Sequence, residues 1–228
     1  MKNYVFDLYG TLADIKTDED DPVFRKKFAK YFLRYNANID FWTEYKKLCA
    51  KKDTGGYCEI DLLAVFRQLA NCNDETALEI ASVFRRLSRK RLKAYGGVKR
   101  LLKGLKEKGA NVYLLSNAQA CFTNKELDKL RLRKYFNGIE LSSVFGEKKP
   151  SVRFFGYLLE KYGLDKSQTV YIGNDIKSDI EGAKKAGLKT AYILSNLSPE
   201  CDSLEEAEKA ADFSTVNFKE LSRYLLNN

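Results

Sequence analysis

The chain has 228 residues, 44% of them hydrophobic and 13% aromatic, which is enough apolar material for a sizeable core with a smaller inserted unit. Its formal net charge is +9, from 40 Lys and Arg against 31 Asp and Glu, and it contains no histidine; every Ser-His or Cys-His mechanism is thereby excluded, and acid–base chemistry falls to carboxylates, lysines or tyrosines. Cys49, Cys58, Cys72, Cys121 and Cys201 form no CxxC pair, so a mixed-ligand zinc site is excluded and reduced thiols are expected.

No stretch approaches the roughly 20 uninterrupted apolar residues of a membrane span, and Met1-Lys2-Asn3 runs into a short apolar segment without a secretory cleavage pattern. The expectation is a cytoplasmic protein with no membrane partner. Tyr4-Val5-Phe6 reads as a short buried strand closing on Asp7 and a turn containing Gly10. From Pro22 onward the period becomes helical. Phe24, Phe28, Tyr31, Phe32 and Tyr35 mark one helix, and Phe41, Trp42, Tyr45 and Leu48 a second. Leu62, Leu63, Val65, Phe66 and Leu69 mark a third, and Leu78, Ile80, Val83, Phe84 and Leu87 a fourth. The basic segment Arg85 to Lys93 is expected to be a solvated helix face. It lacks an aromatic stacking row, so no nucleic-acid partner is expected, and the net charge is read as a field helpful to anionic substrates.

After Gly96-Gly97, helix and strand alternate. A helix over Val98 to Lys108 precedes the strand Val112 to Leu115, and the strands Val170 to Ile172 and Thr190 to Leu194 flank a helix over Asp179 to Lys185. Such alternation predicts an α/β fold, a doubly wound Rossmann-like parallel sheet with ligands at the carboxyl ends of its strands. The expected division is a core of residues 1–15 and 95–228 with a helical cap, residues 16–94, inserted.

Three of these strands end in polar residues: Asp7-Leu8-Tyr9-Gly10-Thr11-Leu12, then Ser116-Asn117, then Gly173-Asn174-Asp175 continuing to Asp179; Lys149 stands before Pro150 between the last two. In order and spacing these segments resemble the four motifs of the haloacid dehalogenase (HAD) superfamily, across nearly the whole chain. The resemblance implies a hydrolase in which the Asp7 carboxylate attacks phosphorus and forms an aspartyl-phosphate. It implies magnesium held by Asp7, the Tyr9 carbonyl and Asp175, with Asp179 as a supporting ligand and Asn174 as a further candidate. Ser116, Asn117 and Thr11 are implied in substrate binding. Lys149 is implied in both substrate binding and catalysis, as a point charge on the transferring group. Asp14 fits the family pattern in a structural role. Each also has a bland reading: Asp7 as a turn former, Ser116-Asn117 as a helix cap, and Asp175 and Asp179 as acidic residues favouring a helix N-terminus.

The chain departs from the phosphatase pattern at Tyr9, where family phosphatases carry the aspartate that protonates the leaving oxygen. Tyr9 is therefore the candidate proton donor, a poor one with an ordinary pKa near ~10. Tyrosine at this position matches the metal-free dehalogenase branch. Against that branch stand Gly173-Asn174-Asp175 in place of Ser-Ser-Asn, Phe155 in place of a tyrosine, and the lack of any arginine between Arg34 and Arg67. Asp175 beside Asp7 also calls for a cation between like charges. The reading is a magnesium-dependent phosphatase acting on a small phosphorylated substrate. A 2-haloacid dehalogenase-type hydrolase and a HAD-like binding or regulatory protein stand as alternatives.

Overall fold

The computed structural model describes residues 2–227. Eight strands occur among them: β1 (Asn3–Phe6), β2 (Ala13–Thr17), β3 (Arg89–Ala94), β4 (Asn111–Ser116), β5 (Gly138–Leu141), β6 (Thr169–Gly173), β7 (Lys189–Ile193) and β8 (Phe213–Thr215). Six of them form one sheet in the order β5-β4-β1-β6-β7-β8, every pairing parallel. The expected doubly wound parallel sheet is present. The short strands β5 and β8 were not anticipated.

Side chains alternate across this sheet with the two-residue period of a strand. Tyr4 and Phe6 of β1 join Leu114 and Ile172 in one apolar layer, whereas Val5 joins Tyr113, Leu115 and Tyr171 in the other. The first layer is closed by α5 (Val98–Glu107) and α11 (Phe218–Asn227), through Leu101, Leu105, Leu221 and Leu225. The second is closed by α8 (Val152–Lys161) and α9 (Gly182–Lys185), through Phe154, Phe155, Leu158 and Ala183. Burial on both faces explains why these strands read as continuous apolar runs. The chain also forms α6 (Ala120–Leu130), α7 (Ser142–Phe145) and α10 (Leu204–Ala210) around the sheet.

Between β2 and β3 lie α1 (Pro22–Phe32), α2 (Phe41–Lys52), α3 (Leu62–Ala70) and α4 (Asp74–Ser88). Asp21, Asp40, Asp61 and Asn73 cap them in turn, each side chain accepting a backbone N–H of the first helical turn, an interaction worth about 1 kcal/mol per helix. The four helices pack through aromatic edges: Phe28 meets Phe41 and Phe84 with ring centroids 4.9 Å apart in each pair. This apolar cluster continues into α6 through Cys121 and Phe122.

The basic segment is not a solvated helix face. It leaves α4 at Ser88 and becomes β3, which pairs antiparallel with β2. Three of its exposed cations are paired with carboxylates: Arg91 Nη2 lies 2.9 Å and Lys93 Nζ 3.6 Å from the carboxylate of buried Asp14, and Lys90 pairs with Asp21. The period-2 pattern of Arg91-Leu92-Lys93, with Leu92 packed on the core, is too short to stand out beside the helical period before it. No helix among the described residues is long and apolar enough to cross a membrane.

Candidate active site

Parallel register sets Phe6 beside Leu114 and Ile172, so the residues beyond those strand ends emerge along one edge of the sheet. Strand β1 sits where the chain order reverses, the crevice that open α/β sheets use for ligands. A cavity of about 260 Å³ lies there, and its walls include Asp7, Tyr9, Ser116, Asn117, Lys149, Asp175 and Asp179. The strand-end motifs are thus brought together. None of α1 to α4 contributes to these walls; beyond the motifs they contain Leu197 and Pro199, from the loop after β7.

Lys149 is 3% exposed. Its ammonium gives all three of its hydrogens, to Asp7 Oδ1 at 2.8 Å, Tyr171 Oη at 2.8 Å and Asp179 Oδ1 at 2.6 Å. Burial works to strip the charge from Lys149, but the Asp179 and Asp7 carboxylates outweigh it and hold the amine protonated beyond its usual range. The lysine backbone is fixed as well: Lys149 N donates to Asn117 Oδ1 at 2.7 Å, and Asn117 Nδ2 donates to Lys149 O at 3.0 Å. Asn117 therefore aims the lysine. Asp7 Oδ1 also accepts from Ser116 Oγ at 2.9 Å, and Asp7 Oδ2 has no hydrogen bond among the described residues.

Asp179 is 1% exposed and spent on both oxygens. Oδ1 takes Lys149 and the Tyr171 phenol (2.9 Å), and Oδ2 takes the backbone N–H groups of Asn174 (3.0 Å) and Asp175 (3.2 Å). With both oxygens so occupied, Asp179 anchors the lysine and the loop carrying Asp175. Burial pushes its carboxyl up to about 6, with Asp7 adding to the rise and Lys149 opposing it. The close approach fixes the glycine before the loop, since a Cβ at Gly173 would stand 2.3 Å from Asp179 Oδ2. Asp175 opens the wide π-helical turn Ile176–Glu181, accepting Ser178 N on Oδ1 at 2.8 Å.

Thr11 is buried away from the cavity walls, and its hydroxyl donates to Asn174 Oδ1 at 3.1 Å. It fixes the motif loops against each other. Gly10 serves the same closure: its φ is +89°, and a Cβ there would collide with Asn174 at 2.2 Å. Tyr9, expected as a proton donor, has its phenol bonded to Glu126 and 3.0 Å from Thr123 Oγ1. Burial, reinforced by Glu126, pushes that phenol far above the ordinary tyrosine range, so it holds its proton.

Glu126, 1% exposed, also accepts Arg85 Nε at 2.9 Å and Arg89 Nη1 at 3.0 Å. It was not singled out from the sequence, although the signal was there: a carboxylate between Phe122 and Leu130, at helical spacing, on the buried face of α6. Tyr171 was read only as a strand residue. The phenol beneath Lys149 becomes visible once β4 and β6 flank β1.

The sequence profile of the haloacid dehalogenase-like hydrolases matches residues 4–193. A glyceraldehyde 3-phosphate phosphatase of Pyrococcus furiosus is 24% identical over 99% of this chain and 93% of its own length. Two solved structures share the fold. A HAD phosphatase from Thermococcus onnurineus is 19% identical with TM-score 0.66, covering 99% of this chain and 98% of that one. A 2-haloacid dehalogenase from Pseudomonas syringae pv. Tomato is 20% identical with TM-score 0.66, covering 100% and 99%. With the motif residues gathered at one sheet edge and the family profile spanning most of its length, the chain belongs to the haloacid dehalogenase-like hydrolase family.

Proposed function

We propose that the chain is a magnesium-dependent phosphatase for a small phosphorylated metabolite, with Asp7 as nucleophile. The observation that carries this reading is the shared cavity: Asp7 and Asp179 pair there with one ammonium, Lys149, and Asp175 lines the same walls. An excess of carboxylate over cation in one cavity favours binding a metal ion. Magnesium is commonly held by one or two carboxylates and keeps several waters. The residues that would hold it are Asp7, Asp175 and the backbone carbonyl of Tyr9. When bound, it would offset the negative charge of the cavity and polarise the phosphoryl group.

The chain's own residues supply the rest. Lys149 and Ser116 bind one oxygen of Asp7 and orient the carboxylate. Attack of Asp7 on phosphorus forms the carboxylate–phosphorus bond and breaks the bond to the leaving oxygen, and water then attacks the aspartyl-phosphate to release inorganic phosphate and restore Asp7. With the Tyr9 phenol committed to Glu126, the leaving oxygen receives no proton from that position. Phosphoryl donors whose leaving group needs little protonation, aryl and acyl phosphates, are therefore favoured over alkyl phosphates. A cavity of about 260 Å³ suits a phosphoryl group on a few-carbon skeleton; the glyceraldehyde 3-phosphate named for the Pyrococcus relative is of that size but is an alkyl phosphate, so the leaving-group preference separates this chain from that relative.

Hydrolysis of p-nitrophenyl phosphate with and without magnesium tests this, with Asp7→Asn as control. Activity that needs both the metal and Asp7 is expected; equal rates without magnesium would refute the metal. Tyr9 favours a second reading, dehalogenation of a 2-haloacid, and Asp175 in the nucleophile's cavity opposes it. Chloride release from 2-chloropropionate separates the two.

A further inference from the structure

Behind the nucleophile loop, α4 and α6 enclose a second cavity of about 320 Å³. Arg85, Arg86 and Arg89 line it from the α4 side, Lys125 and Lys129 from α6, and Phe122 provides an apolar wall. It has no lining residue in common with the nucleophile's cavity. The charges do not balance. One carboxylate, Glu126, forms the ion pairs of both Arg85 and Arg89, with Glu19 adding a longer-range attraction to Arg85. Arg86 and Lys129 have no carboxylate partner among the described residues, and Lys125 donates to a hydroxyl, Ser82 Oγ. Like charges converging in a concave, partly desolvated space repel one another unless an anion joins them.

The arginines are also preset. Arg85 and Arg89 are 14% and 15% exposed, and the Arg85 guanidinium lies over the Phe122 ring, 5.0 Å from its centroid. Of the five N–H donors a guanidinium carries, Arg89 commits one, through Nη1, to Glu126. Arg85 and Arg89 converge on one oxygen, Glu126 Oε1, while Lys125 and Lys129 stand one turn apart on α6, a rise of about 6 Å. Cations spread over that length reach two linked phosphoryl groups, where a single phosphate meets only part of them.

We propose that this cavity binds a small polyanion with adjacent phosphoryl groups, which bridges α4 to α6 and so ties the helical layer to the sheet domain. Recognition is by charge and by guanidinium donors, with no covalent step. The proposal does not depend on the hydrolytic reading.

The test is calorimetric titration of the full chain, carrying Asp7→Asn to prevent turnover, with inorganic pyrophosphate. Binding that weakens as salt rises is expected, with inorganic phosphate weaker than pyrophosphate. Arg86→Glu with Lys129→Glu, both exposed positions, should weaken pyrophosphate at least about tenfold. Ser116→Ala, in the other cavity, should leave that affinity unchanged. Should the double variant fold poorly by circular dichroism, Lys129→Gln alone provides the same comparison with a smaller loss. No pyrophosphate binding, equal affinity in the charge variants, or loss in the Ser116 variant alone would overturn the proposal.

Discussion

Two buried charge clusters flank the loop that carries Asp7 and Tyr9, and they are built with opposite stoichiometry. In the first, the carboxylates of Asp7 and Asp179 share one ammonium, Lys149. In the second, the guanidiniums of Arg85 and Arg89 share one carboxylate, Glu126, which also holds the Tyr9 phenol. The first is left with negative charge in a cavity and suits a cation and the chemistry a cation assists. The second is left with positive charge between a core helix and the helical layer, and suits packing and anion binding. Residues two apart in one loop serve different ends according to which cluster their side chains join: Asp7 belongs to the first and Tyr9 to the second.

Breaking the first cluster should have the largest effect. Lys149→Met leaves Asp7 and Asp179 buried without their cation. Uncompensated buried charge of this kind costs about 3–5 kcal/mol, measurable by urea unfolding, and hydrolysis should be abolished. Stability at the parent level would mean that the pair is not the electrostatic anchor described here. Glu126→Gln breaks the second cluster at constant shape, leaving Arg85 and Arg89 half-satisfied for about 1–3 kcal/mol. A double-mutant cycle with Arg89→Gln should show coupling between the two positions.

Tyr9→Phe sharpens the contrast further. Loss of one hydroxyl should cost about 1 kcal/mol while turnover of an aryl phosphate stays close to the parent. A fall of about a hundredfold would instead make the phenol a general acid. The smallest effect is expected at Asp14. Burial raises its carboxyl, but Asn196, Arg91 and Lys93 outweigh burial and hold it below the ordinary aspartate range. A pKa lowered by folding contributes stability that is present above about pH 4 and fades as pH falls through the lower folded value. Asp14→Asn should flatten that acid limb in thermal melts, and an unchanged limb would exclude the Asp14 cluster as its source.

The sheet and the nucleophile's cavity were legible because their signals are local. Apolar runs ending in Asp7, Ser116 and Gly173 mark strand ends whatever the rest of the chain does, and parallel pairing brings those ends together. What escaped depends on contacts distant in sequence. The Tyr171 phenol reaches Lys149 across 22 residues, and Glu126 reaches Tyr9 across 117. The four donors on Asp179 come from Lys149, Tyr171 and two loop amides, which no local pattern announces. The β2–β3 ribbon was hidden because its six-residue second strand follows a long helical period without a break. The apolar walls beside the motifs are Leu197 and Pro199, in a loop that no motif marks.

The most direct test of the central claim is intact-mass analysis after acid quenching of the full chain mixed with magnesium and p-nitrophenyl phosphate. A covalent phosphoryl group, mapped by peptide analysis to Asp7 and missing from Asp7→Asn, is the expected result. Hydrolysis by Asp7→Asn at the parent rate, with no phosphoryl group trapped on the parent chain, would contradict it.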